Sequence, residues 1–187
     1  MHILITRPLE DSKDLIIKFQ NLGHKVSHFP VIKIHKKKYE EINFEEFSGI
    51  IFTSSNAVKN LDIKKINKNI PCFCVGSATE KITRNNGFQN VFTADGNVNN
   101  LKEIILQNFD KKNGKLLYLS GEVISSNLDK DLITEGYSIK RIINYSALPI
   151  EELDEKFIEL LKSSMPEIVF IYSQNSAKNF FKLIKKY

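Results

Sequence analysis

Short apolar runs alternate with segments in which apolar residues return every three or four positions, almost from one end of the chain to the other. The runs predict strands near residues 2–6, 25–34, 49–53, 72–75, 90–93, 115–119, 138–147 and 167–172, with helices between them. Leu15, Ile16, Phe19 and Leu22 make one helical stripe ahead of Gly23, and Leu101, Ile104, Ile105 and Phe109 make another ahead of Lys111-Lys112-Asn113-Gly114. Both stripes are read as core. An alternation this regular predicts α/β architecture on parallel sheets.

The chain also repeats itself. Residues 51–61, IFTSSNAVKNL, match residues 170–180, FIYSQNSAKNF, so that Ser54 falls on Ser173, Asn56 on Asn175 and Lys59 on Lys178 at an offset of 119 (173 − 54). In each copy an apolar strand ends in hydroxyl and amide residues and turns directly into an amphipathic run. Such a turn leaves backbone N–H groups at a helix start, where an anion is favoured. A weaker repeat relates Leu4, Gly23 and Val26 to Leu117, Gly136 and Ile139 at an offset of 113 (136 − 23). The two repeats interleave, which implies that the chain leaves one domain early and returns to it late.

The expected organisation is therefore an outer, discontinuous domain of residues 1–35 plus 146–187 and an inserted domain of residues 36–145. Two crossing segments, Pro30 to Glu41 and Tyr145 to Glu152, would lie side by side as a two-stranded ladder. The fold class is α/β, with two doubly wound parallel-sheet, flavodoxin-like domains. The inserted domain owns five strands and the outer one three. A 2-1-3-4-5 sheet would need two further strand–helix units after Tyr187, so the outer domain is read as incomplete at the C-terminus.

Composition narrows the function. The formal charge of +5 comes almost wholly from lysine, with only Arg7, Arg84 and Arg141 able to make forked contacts, so a solvated surface is expected rather than a nucleic-acid partner. No apolar run reaches the ~18 residues that span a bilayer. A cytoplasmic protein without membrane contact is expected. Cys72 and Cys74 alternate on one strand face and are read as buried, reduced and structural. The four histidines, His2, His24, His28 and His35, lie ahead of the repeated phrase, and no metal site is expected.

The sequence holds neither G-x-G-x-x-G nor a P-loop, and no Ser/His/Asp grouping can be composed from it. What remains is a series of polar strand ends: Thr6-Arg7, Thr53-Ser54-Ser55-Asn56, Gly76-Ser77-Ala78-Thr79, Ser120-Gly121, Tyr145 and Tyr172-Ser173-Gln174-Asn175. Ligands of open α/β sheets bind beyond the carboxyl ends of strands. Pro8, following Thr6-Arg7, is expected to open a helical turn.

With these residues in order, the chain resembles the uroporphyrinogen-III synthase family. The resemblance rests on ILITRP at 3–8 with Leu22-Gly23, on Phe-Thr-Ser-x-Asn-Ala-Val at 52–58, and on Val75-Gly76-x-Ala-Thr79. It continues through Gly87-Phe88, Gly96, Leu119-Ser120-Gly121, Tyr145 and Tyr172-Ser173-x-x-Ser176-Ala177. It implies two α/β domains joined by a ladder, a linear tetrapyrrole substrate held between them, and no cofactor.

The implied substrate, hydroxymethylbilane, loses its terminal hydroxyl to give a cationic azafulvene, closes through a spiro intermediate and recloses with ring D inverted. Tyr145 is the expected general acid, because a phenol titrates near ~10 and is a proton donor at neutral pH. Thr6, Arg7, Thr53, Ser54, Ser55, Asn56, Gly76, Ser77, Thr79, Ser120, Gly121, Tyr172, Ser173, Gln174 and Asn175 are the expected substrate-binding residues. A monomer is expected, with association through the open outer sheet as the alternative. The competing functional reading is a truncated, noncatalytic tetrapyrrole- or anion-binding module of the same fold.

Overall fold

The computed structural model describes Met1–Tyr187 as nine strands and seven α-helices. In chain order these are β1 (His2–Ile5), α1 (Lys13–Asn21), β2 (Lys25–His28), β3 (Ile32–Lys36), β4 (Phe47–Phe52), α2 (Ser55–Lys59), β5 (Cys72–Val75), α3 (Ser77–Asn85), β6 (Val91–Ala94), α4 (Val98–Asn108), β7 (Lys115–Gly121), α5 (Leu128–Thr134), β8 (Ser138–Pro149), α6 (Glu155–Ser163), β9 (Ile168–Phe170) and α7 (Gln174–Ile184). The chain divides into two compact units, Met1–Ile34 with Ala147–Tyr187, and His35–Ser146. No helix is long and apolar enough to cross a membrane.

One unit is built on a parallel sheet of order β2-β1-β9. The other carries the order β3-β8-β7-β4-β5-β6, in which β4 through β8 are parallel. β3 runs against β8, since Lys37 N–H donates to Asn144 O while Ile150 N–H donates to Val31 O. The large sheet is therefore mixed. Numbered from β4, its parallel strands stand in the order 3-2-1-4-5, not the flavodoxin order 2-1-3-4-5. The chain enters at the middle, winds outward through β5 and β6, then returns past β4 to β7.

Side-chain alternation on these strands builds two cores, one on each face. Phe52, Cys72, Cys74, Leu117 and Leu119 pack with Ala57 and Val58 of α2, whereas Ile51, Phe73, Leu116 and Tyr118 pack with Leu101 and Ile105 of α4 and Leu132 of α5. Both cysteines are free and buried on the α2 face.

Three sequence expectations need correction. Residues 25–34 form two strands instead of one. Pro30 has no N–H for a ladder; Phe29 N–H donates to Ile5 O and Val31 N–H to Thr6 O, after which the chain moves to the edge of β8. The first helical stripe is not core throughout: Leu15, Ile16 and Phe19 are half-buried and Leu22 is 62% exposed, because α1 covers a sheet only three strands wide. Pro8 precedes a short 3-10 turn at Leu9–Asp11, and α1 begins later, after Ser12.

The weaker repeat is visible as backbone chemistry. Gly23 N–H donates to Gln20 O and His24 N–H to Phe19 O; Gly136 N–H donates to Ile133 O and Tyr137 N–H to Leu132 O. Both glycines hold positive φ, 79° and 89°, a conformation that costs other residues strain. The strand–helix–strand units β1-α1-β2 and β7-α5-β8 thus close in the same way.

Candidate active site

The winding of the large sheet reverses between β4 and β7, and the carboxyl ends of strands flanking such a reversal border a natural ligand crevice. Thr53, directly after β4, meets Tyr118 of β7 there, hydroxyl to hydroxyl at 3.2 Å. Burial raises the Tyr118 phenol pKa, an effect the Thr53 hydrogen bond opposes. One step along, Arg141 of β8 donates from Nε to Ser120 Oγ at 2.8 Å and from Nη2 to Gly121 O at 2.9 Å. Its guanidinium lies 6.0 Å from the centre of the Tyr118 ring. Lys37 pairs with Glu122, so charge closes the turn that follows β7.

Tyr145 lies inside β8 rather than after it, half-buried, with its ring across Gly121. A β-carbon at position 121 would stand 2.8 Å from Tyr145 Cζ and 3.0 Å from its hydroxyl oxygen. The missing side chain at Gly121 is what admits the phenol, a role distinct from the substrate contact expected of that residue. Ser120 is fully buried, and its hydroxyl accepts from Arg141 and donates to Gly121 O, so it supports the turn.

The helix starts differ from one another. Ser54 accepts from Asn56 N–H at 3.2 Å and Ser173 from Ser176 N–H at 3.1 Å, so each repeated phrase caps its own helix. α2 is a single five-residue turn with little macrodipole, and Ser55 in it is buried. No side chain caps α3: its N-cap is Gly76, and Ser77 and Ala78 in its first turn are exposed while Thr79 is buried. That turn leaves its first amides to solvent or to a ligand.

In the smaller unit, Thr6 donates its hydroxyl to Phe170 O at 2.7 Å, which ties the ends of β1 and β9. The Arg7 guanidinium stacks 4.6 Å from the Tyr172 ring centre and reaches Asp11 at 3.9 Å. His28 Nε2 lies 2.6 Å from Arg7 O. Partial burial raises the Tyr172 phenol pKa, with Arg7 acting in the other direction. Ser173, Gln174 and Asn175 are exposed at the start of α7. No group of three or more His, Cys, Asp or Glu side chains is arranged to hold a metal ion.

A family model described as uroporphyrinogen-III synthase HemD matches residues 13–187. The chain belongs to the uroporphyrinogen-III synthase family. The fold agrees: uroporphyrinogen-III synthetase from Helicobacter pylori 26695 superposes with a TM-score of 0.63 at 22% identity, over 96% of this chain and 76% of that one. A mutant uroporphyrinogen III synthase from the extremely thermophilic bacterium Thermus thermophilus superposes with a TM-score of 0.54 at 14% identity, over 97% and 76%. No curated protein matches the chain by sequence.

Uroporphyrinogen-III synthases are cyclising hydro-lyases of tetrapyrrole biosynthesis with a tetrapyrrole substrate, and that is the activity of this chain. Several residues around its switch point escape a reading by strand ends. Tyr118 and Arg141 lie within strands, and Lys37 lies in the crossing segment Pro30 to Glu41. Asn144 is fully buried and donates to Ala57 O at 2.7 Å. For Tyr118, Arg141 and Asn144 the available signal was polarity at positions where β7 and β8 otherwise read Leu and Ile.

Proposed function

We propose that this uroporphyrinogen-III synthase closes hydroxymethylbilane with Tyr145 as the general acid. The phenol donates to the terminal hydroxyl, the carbon–oxygen bond breaks, and water departs to leave the azafulvene cation. The substituted carbon of ring D then attacks, the spiro intermediate fragments and recloses with ring D inverted, and the ring D carbon that forms the last bond sheds its proton, which restores the phenol. Type I closure needs no such rearrangement, so the protein's larger task is to hold the folded conformer.

The observation that carries this reading is the Tyr145 phenol fitted across Gly121 beside the β4/β7 switch point. The substrate carboxylates suit the uncapped start of α3 at Gly76 and Ser77, with the buried Thr79 behind them, the hydroxyls of Thr53 and Ser54 beside Asn56, and in the smaller unit Arg7, Tyr172, Ser173, Gln174 and Asn175. Thr6, Ser55, Ser120 and Gly121 support these groups from behind. We read the two compact units as the two α/β domains of the enzyme.

The test is a coupled assay in which hydroxymethylbilane is generated in situ and the oxidised type I and type III uroporphyrins are separated. Type III in excess of the protein-free control is expected. Tyr145→Phe should lower turnover about 100-fold, the lower end of general-acid contributions, in a protein that stays folded. Unchanged turnover in that variant would remove the acid from Tyr145.

A further inference from the structure

The orientation of Tyr145 is set by an irregularity in β8. On a regular strand, residues an even number apart share a face. Ile139 packs on the α4/α5 face and Tyr145 on the α2 face, although they are six positions apart; Ile142 and Tyr145 share the α2 face at a separation of three. The register explains it. Ser120 pairs with Ile143 but Gly121 pairs with Tyr145, so Asn144 is an extra residue opposite the Ser120–Gly121 step. A bulge of this kind re-aims the side chains that follow it. Without it, Tyr145 would face α5 and leave Gly121 uncovered.

Asn144 is held where it bulges. Its main-chain oxygen accepts from Lys37 N–H at 3.0 Å, and its Nδ2 donates at 2.7 Å to the Ala57 carbonyl, in the last turn of α2. Its Oδ1 is buried with no hydrogen-bond partner. An orphaned amide oxygen is a burden on stability, so an apolar residue of similar shape would relieve one unpaired atom while exposing another at Ala57 O. The amide's distinct contribution is directional: it fastens the residue beside Tyr145 to the helix that follows Thr53-Ser54.

We propose that Asn144 is a positioning residue, whose bond to Ala57 O locks the β8 bulge and so aims the Tyr145 phenol across Gly121. The kinetic half of this inference rests on Tyr145 being the general acid; the geometric half does not. Two substitutions test it, Asn144→Leu, which keeps shape, and Asn144→Asp, which keeps size and removes the donor. Each is made with 3-fluorotyrosine labelling and in wild-type and Tyr145→Phe backgrounds, with circular dichroism as the check on folding.

The Tyr145 fluorine resonance, assigned by its loss in Tyr145→Phe, is expected to move or broaden in at least one variant while those of Tyr39 and Tyr137 stay in place. Turnover should fall about 10- to 100-fold at unchanged KM, as a small misplacement of a reacting group does, with a lower type III fraction. In the Tyr145→Phe background the same substitutions should add nothing. An unmoved resonance in both folded variants, or an equal loss of turnover in both backgrounds, overturns the proposal. Full turnover in Tyr145→Phe alone defeats the acid role, while the resonance still decides whether Asn144 sets the ring.

Discussion

The two copies of the repeated phrase begin from nearly the same residues and reach opposite surroundings. The first follows β4, a central six-residue strand with five buried positions, and opens a helix of one turn. The second follows β9, a three-residue strand paired on one side only and without a buried position, and opens an eleven-residue helix. Each copy keeps its serine cap. The shared local chemistry specifies how a strand turns into a helix; position in the sheet, which depends on distant strands, decides whether that turn is framed by neighbours or left at an edge.

Large-to-small substitution should separate the copies most widely. Phe52, wholly buried at the end of β4, should cost about 3–5 kcal/mol when changed to alanine. Phe170, half-buried against Phe19 and Tyr172, should cost about 1–2 kcal/mol on the same change. Amide hydrogen exchange resolved by strand is the appropriate measurement, since each loss should be read in its own sheet. Equal losses would mean that the edge strand is as well supported as the central one.

The next effect concerns catalysis rather than stability. Gly121→Ala brings a β-carbon within 2.8 Å of the Tyr145 ring, which must give way because the backbone on both strands is fixed by pairing. Turnover is expected to fall about 10- to 100-fold by displacement of the phenol. A variant that folds and turns over normally would show that the phenol's place across Gly121 is immaterial.

What could be read ahead of the structure follows the same division. The strand–helix alternation, the caps at Ser54 and Ser173, and the helix ends at Gly23 and Gly136 arise from neighbours in sequence, and all can be recognised there. The break at Pro30 had a signal, the missing N–H, that the apolar continuity of residues 25–34 concealed. The order 3-2-1-4-5 and the bulge at Asn144 had none, because Ile142-Ile143-Asn144-Tyr145 reads as an ordinary strand until its partner β7 is known. For the same reason Arg141, which spans Ser120, Gly121 and Tyr118, cannot be placed from spacing alone.

Removing the caps should produce a smaller and more even effect. Ser54→Ala and Ser173→Ala are each expected to cost about 1 kcal/mol, measured as a shift in urea midpoint. Only their kinetic consequences should differ, with the rise in KM larger for Ser54 because its cap orders the turn beside Thr53 and the switch point. The reverse order would move the main carboxylate contacts to the start of α7.

At neutral pH the smallest effect belongs to the cysteines, which also give the comparison a one-sided probe, since both lie on β5 and the β2-β1-β9 unit has none. Burial pushes the Cys74 thiol up to about 11, opposed by its contact with Thr83, and burial pushes Cys72 higher still. In the unfolded chain a thiol titrates near ~8.5. The folded unit therefore holds its thiol protons more tightly, and the associated stability is fully present below about pH 8, declining as pH rises toward 11. Against a Cys72→Ala, Cys74→Val variant, the wild type should lose urea resistance more steeply between pH 8 and pH 10, with no difference in slope between pH 6 and pH 8. Thiol labelling of the native protein should be slow and should accelerate with opening of β5, leaving exchange in β1 and β9 as the independent measure of the other unit. Parallel slopes across the whole range would show that the thiols titrate alike in the folded and unfolded chain, contrary to their burial between β4 and β6.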